Sequence, residues 1–243
     1  MTTTAPPTDR LALYRKYVAE ITARCGTDPG VRVALRKGLR RGLDDVSSLH
    51  RIVAPWLPQQ RSEAEERAFY AVAAMISDRP RHSFTILTSD DESEPDGQDR
   101  TATAENEPAR SAPENEVQAP AHGQSAQVRT RRDSLGASFA RAVAARAGQA
   151  GVRQDTAEAR LNLLTRQSLD GLHRHLPGSV RLLRSHDIDI DFAVLLRDLA
   201  VWPQYSKAIS RRWLQDFYRI HNAAIEAAAK RRDSEDDETG DSN

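Results

Sequence analysis

The chain has 243 residues, 35 of them Lys or Arg and 35 Asp or Glu, so its formal net charge is zero; 39% of the residues are hydrophobic. Its one cysteine, Cys25, excludes an internal disulfide and fits a reducing, cytoplasmic setting. No run of about 18 apolar residues is present to cross a membrane, and Met1 to Asp9 lacks the apolar stretch of a signal peptide.

In chain order, Asp9 can cap a helix carrying Leu13, Tyr14, Tyr17, Val18 and Ile21 at i, i+3, i+4 spacing. Asp28-Pro29 reads as a cap followed by Pro at the first helical position, with Val31, Leu35 and Leu39 as the apolar face. Leu49, Ile52 and Val53 predict a short helix ending near Pro55-Trp56-Leu57-Pro58. Ser62 to Glu65 fits a capping box and opens a helix with Phe69, Val72, Ala73 and Ile76, which stops before Pro80. Thr88 to Val128 has almost no large apolar residue and cannot offset its ordering entropy, so it reads as a disordered linker.

Helical periodicity resumes near Ser134-Leu135-Gly136, with Phe139 and Val143. Asp155 to Glu158 is a further cap pattern leading into Leu161, Leu164 and Leu169. Leu172, Leu176, Val180, Leu182 and Leu183 follow, interrupted at Pro177-Gly178. Asp189 or Asp191 can cap a helix with Phe192, Leu195, Leu196 and Leu199, ended by Trp202-Pro203. The last helix carries Ile209, Trp213, Phe217 and Ile220. No stretch alternates with period two. The fold class expected is all-α, as two small helical bundles, 9–87 and 133–232. An acidic insert over 88–132 joins them, and an acidic tail, 233–243, follows.

Zero net charge is an average over unlike segments. Residues 1–87 carry a net +5, 88–128 a net −8, 129–232 a net +9 and 233–243 a net −6. The helical parts together therefore hold +14, which points to a polyanion partner. Arg36-Lys37 and Arg40-Arg41 recur at helical spacing, and Val31 to Gly42 contains five basic residues and no acid. An ordinary solvated helix face would carry roughly matched acids on the same helix. Arg181 and Arg184, with Arg166 and Arg174 upstream, repeat the pattern; Lys207, Arg211, Arg212 and Arg219 surround the last apolar face. Guanidinium groups suit phosphates because they donate two parallel hydrogen bonds. Few aromatics lie among these clusters, so the expectation is backbone binding without base reading, with strong salt dependence.

The residues offer little for catalysis. No phosphate-cradling glycine loop is present. Cys25, in a helix, reads as a small core residue. His173 and His175 project about 200° apart on a helix and cannot share a metal. Asp187-Ile188-Asp189-Ile190-Asp191 begins like a calcium loop but has Phe192 where the turn needs Gly, and Asp198 where the loop ends in Glu. No enzyme, cofactor or metal is expected.

Taken in order, several stretches resemble the CasB family, the small subunit of the type I-E CRISPR Cascade complex. They are Leu13-Tyr14, Ala34 to Gly38, Leu49 to Trp56, Arg67 to Ala74, Ser134-Leu135-Gly136, Glu158 to Leu161, Leu164 to Arg166, Leu172 to Leu176, Arg181 to Leu183, Ile190 to Phe192, Leu195 to Leu199, Trp202 and Arg211 to Tyr218. The resemblance implies an all-α, non-catalytic subunit that contacts the Cascade backbone and large subunits and a second copy of itself. It implies basic surfaces that steady the displaced DNA strand and the guide RNA–target DNA hybrid of an R-loop, while guide pairing reads the sequence. By position, Arg36, Lys37, Arg160 and Arg166 match the family's basic motifs. Two departures stand out. The insert is long and acidic, and the residue after Ser-Leu-Gly is Ala137 rather than a basic one, with Arg141 one helical turn on as a substitute. The nucleic-acid-binding set expected is thus Arg36, Lys37, Arg40, Arg41, Arg141, Arg160, Arg166, Arg181, Arg184, Arg211 and Arg212. A free-standing helical DNA-binding regulator and a purely structural adaptor are the alternatives.

Overall fold

Apolar spacing of three and four residues recurs from Leu11 to Phe217, and helices are what it builds. The computed structural model describes residues 7–39, 47–78, 133–145 and 151–240, with side chains except at 7–9, 48, 232, 233 and 235–240. In chain order the helices are α1 (Pro7–Thr27), α2 (Pro29–Arg36), α3 (Ser47–Val53) with a 3-10 turn at Ala54–Trp56, α4 (Glu63–Ser77), α5 (Leu135–Ala144), α6 (Gln154–Thr165), α7 (Leu169–Arg184), α8 (Phe192–Ala200) and α9 (Trp202–Gly240). No strand occurs among the described residues. The insert 88–132 lies outside them, as do Arg40 and Arg41.

Local chemistry explains most boundaries. The Asp28 carboxylate accepts from Gly30 N at 2.7 Å and Val31 N at 3.1 Å, so α2 starts at Pro29. Ser62 Oγ accepts from Glu65 N at 3.1 Å, which is half of a capping box. The other half is missing because the Glu65 carboxylate turns inward, to the Tyr14 hydroxyl at 2.7 Å and to Arg10. Asp191 caps α8 through Ala193 N and Val194 N. Asp187 adopts φ 54° and closes α7 with Ile188 N bonded to Leu183 O at 3.1 Å, a Schellman-type turn that Asp tolerates.

Four boundaries depart from the sequence reading. Helix α1 begins at Pro7, two residues before Asp9. Helix α6 begins at Gln154 after Arg153, with no side-chain cap, so Asp155 lies inside its first turn, where its charge suits the helix dipole. Helix α7 is not interrupted at Pro177-Gly178. Leu172, Leu176, Val180 and Leu183 are all buried on one face that continues through Pro177, and their burial outweighs the roughly 3 kcal/mol cost of an internal proline. The backbone of α9 continues past Asp233 to Gly240, with non-helical dihedrals at Tyr205 marking a kink.

The described residues form one compact unit with one contiguous core. Helix α4 is its centre. It buries Ala68, Phe69, Val72, Ala73, Met75 and Ile76, and its alanines let α1, α2 and α8 approach closely. Tyr17, fully buried, donates to the Phe69 carbonyl at 2.8 Å. Helix α8 follows the insert in sequence yet packs on α1 and α4, so the core crosses the division between 9–87 and 133–232. Helix α9 packs chiefly along α5. Cys25 is buried in this core, and desolvation pushes its thiol up to about 11.

Of the described glycines, Gly136 sits closest to a neighbouring backbone. A Cβ there would overlap the Trp213 carbonyl, so α5 and α9 can meet only because position 136 has no side chain. Gly136→Ala is expected to lower unfolding stability by about 2–3 kcal/mol in chemical denaturation. His173, buried on α7, is held down to about 4, first by desolvation and then by the Arg67 guanidinium. It is neutral when folded and takes a proton when unfolded below its ordinary value of 6.5. Stability is therefore full above pH 6.5 and falls as pH drops towards 4, by about 3 kcal/mol in total. Denaturation midpoints measured across that window should shift less in His173→Leu.

Candidate nucleic-acid interface

The carboxyl end of α4 gathers arginines from both sides of the insert. A helix C-terminus carries exposed carbonyls and a partial negative charge, and here Asp78 adds a full one. Arg184 Nη1 donates to Met75 O at 2.6 Å and Ile76 O at 3.2 Å, and its guanidinium lies 4.7 Å from the centre of the Phe192 ring. Arg32 Nε donates to Ser77 O at 3.4 Å. Arg181 grips Asp78 Oδ2 with Nε at 3.0 Å and Nη2 at 2.7 Å, and Arg36 Nε sits 3.4 Å from Asp78 Oδ1. Arg36 and Arg181 thus share one carboxylate, while Arg32 and Arg184 meet the carbonyls of the helix end. Two guanidiniums on one carboxylate leave positive charge in surplus, and Arg36 and Arg181 remain 56% and 60% exposed. Lys37, next in the chain, is exposed and makes no ion pair among the described residues.

Other members of the expected set fall into two groups. Arg166 ends α6 and Arg211 lies on α9; both are exposed without an ion pair among the described residues. Ser210 Oγ donates to Thr165 O at 3.1 Å, so their immediate neighbours in the chain are hydrogen-bonded. Arg160, on α6, is half-buried. The second group turns towards the protein. Arg141 pairs with Asp133 at 2.7 Å and reaches Ser138 Oγ and Asp189 O. Ala137 is buried, so a basic residue there would have to extend out of the core to reach solvent.

Arg212 belongs to a buried hub. Asp198 is 1% exposed, and its carboxylate accepts from Arg197 Nη2 at 3.1 Å, from Trp213 Nε1 at 2.8 Å and from Arg212. Burying a carboxylate this deep is costly unless its lone pairs are met by charged donors. Sequence reasoning missed the roles of Asp78 and Asp198 alike. The one local signal was Asp78 itself, an acid at a helix end where the dipole disfavours it. Among the described residues, no group of three or more His, Cys, Asp or Glu side chains could hold a metal ion, and no helix is long and apolar enough to cross a membrane.

By architecture the described residues form an all-helical unit with arginines gathered at the carboxyl end of α4. Residues 31–218 match the family model of CRISPR-associated protein Cse2, and the chain belongs to that family, the CasB family of the resemblance. Two solved structures resemble it closely. A chain of a "CRISPR RNA-guided surveillance complex" is 31% identical, with a TM-score of 0.67 over 90% of this chain and 99% of that one. A chain of a "CRISPR RNA-guided surveillance complex, pre-nicking" is also 31% identical, with a TM-score of 0.67 over 90% and 98%. No curated protein sequence matches the chain.

Removing the hub's carboxylate strands two guanidiniums and an indole N–H. Asp198→Ala is expected to cost about 3–5 kcal/mol, read as a lower denaturation midpoint with early loss of the near-ultraviolet tryptophan signal.

Proposed function

We propose that this protein is the non-catalytic small subunit of a type I-E Cascade surveillance complex, acting in the cytoplasm in antiviral defence. In this reading it packs against the backbone and large subunits and a second copy of itself. Its basic surfaces hold nucleic-acid backbone and stabilise the R-loop, both the displaced DNA strand and the guide RNA–target DNA hybrid. The observation that carries the reading is the surplus of guanidinium charge at the carboxyl end of α4. Arg36 and Arg181 converge there from opposite sides of the insert and stay more than half exposed. Membership of the Cse2 family and the likeness to chains of surveillance complexes support the same partner class.

Phosphate contact fits this surface better than base reading. Among the described residues the well-exposed aromatic rings are Tyr205 and Tyr218 on α9, a small platform for stacking on bases, whereas phosphate oxygens match the forked N–H geometry of the more numerous guanidiniums. A free-standing regulator that inserts its last helix in a groove is disfavoured, because Trp213 and Phe217 on α9 are fully buried against the core.

Arg36→Glu combined with Lys37→Glu changes two exposed side chains and breaks the half-exposed Arg36–Asp78 pair, so the subunit should stay folded and lose no more than about 1 kcal/mol of stability in a helical melt. DNA affinity of the assembled complex should fall about tenfold or more, and the dependence of log K on log salt should flatten by about two. Unchanged affinity and slope would assign the positive surface to protein contacts instead.

A further inference from the structure

We propose that Asp78 is a positioning residue for a bound phosphodiester, holding Arg36 and Arg181 as a preformed two-arginine clamp. The proposal rests on the reading of this surface as a nucleic-acid interface. Asp78 stands at the carboxyl end of α4, where an acid opposes the helix dipole, and its backbone, φ −83° and ψ 16°, does not call for an aspartate. Its value lies in its side chain. The Asp78 side chain is 13% exposed, while those of Arg36 and Arg181 are 56% and 60% exposed. The carboxylate therefore sits beneath and the two guanidiniums lie over it, their other edges towards solvent.

Donor accounting supports this layering. A guanidinium has five N–H donors in a rigid plane. Asp78 accepts hydrogen bonds from Nε and one Nη2 hydrogen of Arg181 and holds Arg36 by an ion pair at 3.4 Å. Three donors on Arg181 and those of Arg36 then remain with no hydrogen-bond acceptor among the described residues. One carboxylate cannot satisfy two such groups, but it fixes the plane of Arg181 by a two-point contact and draws Arg36 beside it. Arg184 and Arg32 meet the α4 carbonyls alongside, while the Asp78 carboxylate is shared by Arg36 and Arg181. A phosphate oxygen approaching from solvent meets donors whose rotamer freedom is already restricted, and loses less entropy on binding.

Positioning and simple electrostatics predict opposite signs. Neutralising an acid inside a positive cluster should tighten DNA binding if only charge matters. The test titrates the full chain with a labelled DNA fragment of random sequence at two salt concentrations, with circular dichroism melts of every variant. Asp78→Asn is expected to weaken binding about fivefold although it adds a unit of positive charge. Arg181→Lys, which keeps the charge and loses the fork, should weaken it similarly. In an Arg181→Ala background, Asp78→Asn should change affinity less than about twofold, because Asp78 acts through that arginine. Unchanged or tighter binding by Asp78→Asn overturns the proposal, as does an undiminished loss in the Arg181→Ala background. If Asp78→Asn melts early, Arg181→Lys decides: wild-type affinity in that variant overturns the clamp. Absence of any binding by the unsubstituted chain overturns the nucleic-acid reading first, and the clamp with it.

Discussion

A single buried carboxylate ties the two ends of this fold together. Asp198 lies on α8, whose other face packs on α1 and α4, and it takes hydrogen bonds from Arg212 and Trp213 on α9, which packs along α5. Bringing an ion into a core costs several kcal/mol unless donors surround it. Here two guanidiniums and an indole do so, and the registration of α8 against α9 is set by that requirement. Trp213 then packs against Trp202 with ring centres 5.3 Å apart and planes tilted by 40°, while its carbonyl fills the space that Gly136 leaves open. The position of α5 follows from a side chain three helices away.

The same chemistry sorts the arginines. Those that meet carbonyls or carboxylates inside the unit, among them Arg184, Arg212 and Arg141, hold helices in place. Those at the carboxyl end of α4 do both jobs, since Arg36 and Arg181 contact Asp78 and still present donors outward. Lys37, Arg166 and Arg211 face solvent without an ion pair among the described residues. In the proposed role, guanidinium planes fixed in this way would suit the regularly spaced charges of a nucleic-acid backbone better than a folded acidic protein.

Much of this was legible in the residues. Caps at Asp28 and Ser62 were readable, with Asp191 one of two candidates for α8, because a cap is made within three or four residues of itself. The apolar stripes were readable for the same reason. Pro177 misled because the local rule is real but weaker than the burial of four aliphatic side chains, which only packing reveals. Glu65 looked like half of a capping box and is instead a buried partner of Tyr14 and Arg10, since nothing near Glu65 in the chain announces a tyrosine 51 positions away.

By itself the sequence determined the all-helical class, the separation of a basic body from acidic segments, and the family, because periodicity, charge and motif order are properties of neighbours in the chain. Only the tertiary structure decided which guanidinium answers which carboxylate. Arg36 could not find an acid on its own helix and found Asp78 on another; Arg181 met the same carboxylate across 103 positions. An arginine's side chain is identical whether it will face a carbonyl, an aspartate or a phosphate. Its role is set by what the fold places within about 3 Å of it, and that is settled only when the helices pack.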